Sequence, residues 1–101
     1  DVYASPTLRR YVVDLATATR TSPAVRLGAS PRAALHVLRA ARAHAALEGR
    51  DHVLPDDVHR VAAAVLGHRL LLSADAVLAR RTPSDVLDEL IRATPVPVAH
   101  R

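Results

Sequence analysis

Hydrophobic and polar positions recur along this chain with the 3.6-residue period of an amphipathic α-helix. In the first such segment Ser5 is placed to cap a helix and Pro6 occupies the first helical position, where a proline needs no hydrogen-bond partner. We expect this helix to end near Arg20, before a turn. Its buried face is predicted to comprise Leu8, Tyr11, Val12, Leu15 and Ala16.

A second helix is predicted from Ser30 as cap and Pro31 as first residue to about Glu48, with Gly49 as the stop. The predicted inner stripe comprises Ala34, Leu35, Leu38, Ala41 and Ala45. Alanine lets a neighbouring helix approach closely, which makes this the expected central helix. A separate polar stripe comprises Arg32, His36 and Arg39.

Two further helices complete the pattern. Pro55 followed by Asp56 and Asp57 indicates a third helix start, and its predicted buried residues are Val58, Val61, Ala62, Val65 and Leu66. Thr82 and Asp85 have the spacing of a capping box, and the inward residues of that last helix are Val86, Leu87, Leu90 and Ile91.

Between these helices, residues 70–72 form a short apolar run of ambiguous type, and residues 73–81 can hold one extra turn. The predicted fold class is therefore all-α, a small bundle of four main helices. Residues 1–101 are expected to form one domain, with 95–101 as a flexible tail after Pro95.

The amino-acid composition supports this architecture and excludes several kinds of site. Half of the 101 residues are hydrophobic, mostly Ala, Val and Leu, as suits closely packed helices. Without cysteine, disulfides and thiolate metal sites are excluded. All fourteen basic residues are arginine, and a chain without lysine cannot contain a P-loop, so it is not a complete ATPase. With no visible leader and no long apolar run, a cytoplasmic fragment of a longer protein is expected.

The start of the second helix carries the one unusual feature, because Arg32 opposes the positive end of the helix dipole. Three backbone N–H groups there lack helical partners, and together with the guanidinium they could bind phosphate. Alternatively, Arg32 extends into water or pairs with an acid such as Asp14 or Asp57. The residues alone leave both interpretations open.

Other partial motif matches are interpreted as structural features. "GASPR" lacks the last glycine of a nucleophile elbow, so Ser30 is interpreted as a cap, and "VLDEL" is a solvated helical face. His36, His44 and His59 are expected at the surface or partly buried, with no metal-ligand spacing. Arg50 and Asp51 are interpreted as a local pair that fixes the connector.

The stretch "LGASPRAALHVLRAARAHAALEGRDHVLPDDVHRVAAAVLGHRLLL", residues 27–72, resembles the C-terminal lid of MoxR-type AAA+ ATPases. The matching motifs are the G-A-S-P-R-A helix start, the A-x-A-x-L-x-G-R-D-x-V connector, the P-x-D-V start of the third helix, and V-L-x-H-R, which ends at His68 and Arg69. "YVVDLATATR" and "TPSDVLDELIRATPVP" resemble the family's first and closing lid helices, so the likeness covers nearly the whole chain.

The resemblance implies that Arg32 is the sensor 2 arginine, contacting the γ-phosphate of ATP held by a separate P-loop domain. The helix start that presents it consists of Gly28, Ala29, Ser30 and Pro31. Tyr11 matches a position that can approach the adenine, although a tyrosine in an apolar stripe is more often a core residue.

The implied function is that of a lid coupling ATP hydrolysis to chaperone-like remodelling of client proteins, with no hydrolysis by this domain alone. ATP and Mg²⁺ would be bound in the parent protein, the Mg²⁺ not by this domain. Implied partners are the chain's own P-loop domain, neighbouring subunits of a ring, expected to be a hexamer, and von Willebrand factor A-type proteins, with no membrane. The alternative is a stand-alone helical nucleic-acid-binding or adapter module, compatible with the net charge of +4 but disfavoured by the scattered arginines.

Overall fold

The computed structural model describes residues 2–67 and 70–96, and within them it shows five helices and one small sheet. In chain order the elements are α1 (Pro6–Thr21), β1 (Val25–Leu27), α2 (Pro31–Leu47), α3 (Pro55–Leu66), β2 (Leu71–Leu72), α4 (Ala74–Leu78) and α5 (Pro83–Ala93). The four longer helices are those predicted from the sequence, and α4 is the extra turn expected within residues 73–81. The all-α fold class is confirmed.

The helix starts follow the predicted capping chemistry. The hydroxyls of Ser5, Ser30 and Thr82 each accept a hydrogen bond from the backbone N–H three residues on. At the start of α5, Asp85 also accepts from the backbone N–H of Thr82 at 3.1 Å, which closes the predicted capping box. Because these caps satisfy donors that the helix itself leaves unpaired, they fix where each helix begins.

Helix α2 is central, since it packs against both α1 and α3. Its buried residues are Ala33, Ala34, Val37, Leu38, Ala41 and Ala45. The predicted burial of Leu35 is wrong, because that side chain is 44% exposed. The inner face of α2 extends from the predicted stripe toward residues 33 and 37, which places Leu35 on the far side of the helix.

The other helices bury the faces that their periodicity predicts. The whole predicted stripe of α1 is buried. In α3, Val58, Ala62 and Leu66 are buried while Val61 and Val65 lie partly buried against the core. In α5, Val86 and Leu87 are buried, with Leu90 and Ile91 packed at the margin of the core.

A two-stranded antiparallel sheet connects the loop before α2 to the loop after α3. Val25 lies opposite Leu72 and Leu27 opposite Leu71, with an irregularity in register between the two pairs. The backbone N–H of Ser73 extends the contact by donating to the carbonyl of Ala24 at 2.9 Å. The ambiguous run at residues 70–72 is therefore extended.

The first residues of the chain are tied to the connector between α2 and α3. Tyr3 donates its backbone N–H to the carbonyl of Asp51 and accepts from the N–H of Val53, both at 2.8 Å. These bonds form a parallel bridge between Tyr3 and His52.

Among the helices that the structure describes, none is long and apolar enough to cross a membrane. His68 and Arg69, which end the V-L-x-H-R motif, and residues 97–101 of the expected tail lie outside the described residues.

Candidate functional site

Arg32 lies in the first turn of α2 with its side chain exposed. Neither carboxylate weighed as its partner pairs with it, because Asp14 is bonded to Arg10 at 3.3 Å and Asp57 is bonded to His44 and Arg50. Arg32 therefore forms no ion pair with either of these two carboxylates, and its exposed side chain extends into solvent. Within residues 2–67 and 70–96 its guanidinium has no hydrogen-bond partner, so it is available to an anion from outside the domain.

The helix start offers backbone donors beside this guanidinium, though fewer than expected. Ser30 takes up two N–H groups, because its hydroxyl accepts from Ala33 at 3.2 Å and its carbonyl accepts from Ala34 at 3.1 Å. Pro31 has no N–H to donate. In the described part of the chain the N–H groups of Ser30 and Arg32 remain without a partner, which leaves two donors of the three expected.

The loop before α2 is held against the end of α1 by two side chains. The hydroxyl of Thr19, which is fully buried, accepts from the N–H of Ala29 at 2.8 Å and donates to the carbonyl of Ala16 at 2.6 Å. Arg20 donates from Nη1 to the carbonyl of Ala29 at 2.7 Å. Both backbone groups of Ala29, itself 1% exposed, are thus satisfied by α1. This attachment fixes the position of the start of α2, where Arg32 lies.

Gly28 makes the attachment sterically possible. A Cβ at this position would lie 2.5 Å from the carbonyl oxygen of Thr19 and 2.7 Å from the backbone nitrogen of Arg20. Both atoms belong to the backbone of α1 and cannot rotate away. The glycine is therefore required by the close approach of the loop to α1.

Sequence reasoning did not identify Thr19 and Arg20 as part of this site. A signal for Thr19 was present, because it lies three and four residues after Ala16 and Leu15 and so continues the apolar stripe of α1 with a polar side chain. A buried threonine needs a hydrogen-bond partner, and the adjacent loop provides one.

Replacing Thr19 by valine is expected to lower the free energy of unfolding by about 1–3 kcal/mol, because the buried N–H of Ala29 loses its acceptor while the shape is retained. Urea denaturation of the chain measures the change. Thr21→Val is the matched control, since Thr21 is exposed on the same helix and should change stability by less than about 0.5 kcal/mol. Equal losses in the two variants would contradict the role given to Thr19.

Tyr11 lies in the core with 1% of its surface exposed. Its hydroxyl is hydrogen-bonded to Nε2 of His59 at 2.6 Å, and the two rings meet edge to face. Burial raises the pKa of the Tyr11 hydroxyl. This position, which joins α1 to α3, favours the core role of Tyr11 over a contact with adenine.

A charged cluster fixes the end of α2 to the start of α3. The fully buried carboxylate of Asp57 accepts from Nδ1 of His44 at 2.7 Å, from Arg50, and from the backbone N–H of Leu54 at 2.7 Å. Burial alone would raise the pKa of Asp57, but the hydrogen bonds from Arg50, Leu54 and His44 together hold it below its usual value.

This cluster corrects the predicted pair of Arg50 with Asp51. Asp51 is instead bonded to His52 at 3.1 Å, and that hydrogen bond is the main cause that lowers the pKa of Asp51. Arg50 crosses the connector to the next helix because the connector folds back and brings Asp57 within reach. His36, His44 and His59 are partly buried, within the expected range. No group of three acidic or histidine side chains in the part of the chain that the structure describes could hold a metal ion.

Comparison with known proteins places this geometry in a family. The profile of the AAA lid domain matches residues 17–90. The chain is 43% identical to the protein MoxR of Paracoccus denitrificans over 111 residues, covering 96% of this chain and 33% of that protein. It is 42% identical to the chaperone MoxR1 of Mycobacterium tuberculosis over 73 residues, covering 72% of this chain and 19% of that protein.

A solved structure shares the fold over nearly the whole chain. The crystal structure of a "putative ATPase" from Cytophaga hutchinsonii superposes with a TM-score of 0.87 at 29% identity, covering 96% of this chain and 32% of that one. The chain thus spans about a third of the length of the MoxR protein from Paracoccus and of this ATPase.

Proposed function

Because the chain belongs to the AAA lid domain family and is the lid of a MoxR-type AAA+ ATPase, we propose that Arg32 is its sensor 2 arginine, which contacts the γ-phosphate of ATP in the parent protein. The observation that carries the proposal is the exposed guanidinium of Arg32 at a capped helix start, with no partner in the described part of the domain. The free N–H groups of Ser30 and Arg32 add the partial positive charge of the helix end.

The proposed mechanism is electrostatic. A guanidinium placed on the γ-phosphate stabilises the charge that develops during phosphoryl transfer, and it needs no rearrangement at that moment if it is already held in place. The attachment of Ala29 to Thr19 and Arg20 supports a fixed position for the helix start from which the Arg32 side chain extends. When the γ-phosphate leaves, Arg32 loses its partner and the lid is free to rotate.

In this proposal the chain is one helical lid domain joined to a separate P-loop domain, which binds ATP and Mg²⁺. The lid passes the nucleotide state on to chaperone-like remodelling or activation of client proteins in the cytoplasm. Neighbouring subunits of a ring, expected to be a hexamer, and von Willebrand factor A-type proteins are the proposed partners. The chaperone named among the relatives supports the remodelling role.

In the parent protein, Arg32→Ala is expected to slow ATP turnover by about 10- to 150-fold, which corresponds to losing one charge-assisted contact of ~1.5–3 kcal/mol. Steady-state phosphate release at saturating ATP measures the effect. Arg32→Lys keeps the charge but not the planar fork, so it should recover only part of the rate.

Arg60→Ala is the matched control, because Arg60 is an exposed arginine on a different helix, α3. Its turnover should equal that of the unmodified parent. Unchanged turnover in Arg32→Ala, with circular dichroism showing an intact fold, would contradict the sensor 2 assignment.

A further inference from the structure

The guanidinium of Arg20 is held between the last turn of α1 and the loop that leads into α2. Its Nη1 donates to the carbonyl oxygen of Ala29 at 2.7 Å, and its Nη2 donates to the hydroxyl of Thr17 at 3.1 Å. Among the arginines of the described residues, Arg20 is the one that is bonded to a main-chain carbonyl. It forms no ion pair with a carboxylate of those residues, so its charge acts on this neutral carbonyl group.

The bond from Arg20 fixes the direction of the next N–H group in the chain. The carbonyl of Ala29 and the N–H of Ser30 belong to one planar peptide unit, and the described part of the chain contains no cis peptide bond. In a trans unit the C=O and N–H groups point in opposite directions. Because the carbonyl faces Arg20 on α1, the N–H of Ser30 points away from α1, where no described residue accepts it.

The peptide unit on the other side of Ala29 is fixed as well. Its N–H donates to the hydroxyl of Thr19 at 2.8 Å, and Gly28 lies directly against the backbone of α1. Ala29 is therefore held through both its N–H and its C=O. The outward direction of the Ser30 N–H follows from these two contacts.

The charge of Arg20 also makes the N–H of Ser30 a stronger donor. A hydrogen bond from a cation to a carbonyl polarises the whole peptide unit, and the positive end of the α2 dipole adds to this effect. Both Nη atoms of Arg20 are already engaged within the domain. Arg20 therefore acts on a bound anion through Ser30 rather than by touching it.

We propose that Arg20 is a positioning residue for ATP hydrolysis, which turns the N–H of Ser30 outward as a main-chain donor to the γ-phosphate that Arg32 contacts. The inference rests on the proposed sensor 2 role of Arg32 and adds a second donor from the same helix start. Two donors on one phosphate orient the transferred group as well as neutralise its charge.

Arg20→Ala in the parent protein is expected to lower kcat for ATP about tenfold, because the N–H of Ser30 loses its fixed direction and its polarisation. The Kd for ADP should be unchanged, since ADP has no γ-phosphate. Steady-state phosphate release gives kcat, and equilibrium titration gives the Kd. Arg20→Lys keeps one charged donor for the carbonyl of Ala29 and should recover part of the lost rate.

A pair of variants at Ser30 tests whether Arg20 acts through this N–H group. Ser30→Ala and Ser30→Pro both lose the capping hydroxyl, but only proline also lacks the N–H, and the φ of −76° at Ser30 suits a proline ring. The kcat of Ser30→Pro should be about tenfold below that of Ser30→Ala. Adding Arg20→Ala should cost about tenfold more in Ser30→Ala and nothing more in Ser30→Pro.

Arg10→Ala is the matched control, because Arg10 is an exposed arginine of α1 whose hydrogen bond, to Asp14, stays within its own helix. Its kcat should equal that of the unmodified parent. Circular dichroism checks that each variant keeps its helices. If Ser30→Pro does not fold, the kcat and the ADP affinity of Arg20→Ala decide the question alone.

Three outcomes would overturn the inference. These are an unchanged kcat in Arg20→Ala, a loss of ADP affinity as large as the loss of kcat, and an equal effect of Arg20→Ala in the two Ser30 variants. If Arg32→Ala slows turnover and Arg20→Ala does not, this inference alone fails. If Arg32→Ala leaves turnover unchanged, the sensor 2 assignment itself fails.

Discussion

Replacing Asp57 by asparagine is expected to lower the free energy of unfolding by about 3 kcal/mol. The substitution keeps the shape of the side chain but leaves Arg50 and His44 facing a neutral amide. It also turns an N–H group toward either one of these donors or the backbone N–H of Leu54, all of which need an acceptor. For a domain of this size such a loss is a large part of the total stability.

Asp56→Asn is the matched control for this prediction, since it makes the same chemical change one residue earlier on an exposed side chain. It should cost only the favourable interaction with the start of α3, about 0.3–1 kcal/mol. Urea denaturation of both variants at neutral pH gives the comparison, and similar losses in the two would show that the cluster does not stabilise the domain.

The Asp57 cluster also predicts a dependence on pH. Because the pKa of Asp57 is lower in the folded than in the unfolded chain, its stabilisation is fully present above the unfolded value of about 3.9 and is lost as the pH falls through the folded value. The stability difference between the unmodified chain and Asp57→Asn should therefore be constant near neutral pH and shrink below about pH 4. A difference that grows on acidification would contradict this sign.

Gly28→Ala is expected to lower ATP turnover of the parent protein by about 100-fold, although the alanine touches no nucleotide in the proposed mechanism. The added methyl group would sit 2.5 Å from the carbonyl oxygen of Thr19, so the loop must move away from α1. That movement displaces Arg32, and a misplacement of about 1 Å is enough for such a loss. The crowding should also cost stability, up to about 3 kcal/mol.

Gly67→Ala is the control for a glycine substitution, because a Cβ there meets no atom of the described residues outside its own helix within 4 Å, and the backbone is in the helical region with φ of −55°. It should leave turnover unchanged and the fold at least as stable. Phosphate release and urea denaturation of both variants make the comparison. Normal turnover of Gly28→Ala would show that the approach of the loop to α1 does not position Arg32.

The helices were predictable from sequence because their information is local. Ser5, Ser30 and Thr82 each precede a proline, and each cap with its proline defines a start within a few residues of sequence. Strand β1 was not predicted, because three residues are too few to show a period, and it forms only where β2 from the other side of α3 pairs with it.

The candidate site was predictable only in part. Arg32 could be identified from the sequence, because an arginine at a predicted helix start opposes the positive end of the helix dipole. The contacts that hold it were not visible, because Ala29 and Thr19 meet only once the loop folds back onto α1. Arg50 illustrates the same limit. The sequence predicts a pair with its neighbour Asp51, whereas in the structure Arg50 is paired with Asp57.

The bridge between Tyr3 and the connector has a mechanical consequence. Tension along the chain that enters at Val2 is carried by the two hydrogen bonds of Tyr3 to Asp51 and Val53, which lie side by side in a parallel arrangement and are therefore strained in shear. The connector leads directly to Asp57. A displacement of Tyr3 therefore pulls on the corner between α2 and α3 as well as on α1. The first residues of the chain are thereby connected to two parts of the domain, α1 and the corner between α2 and α3.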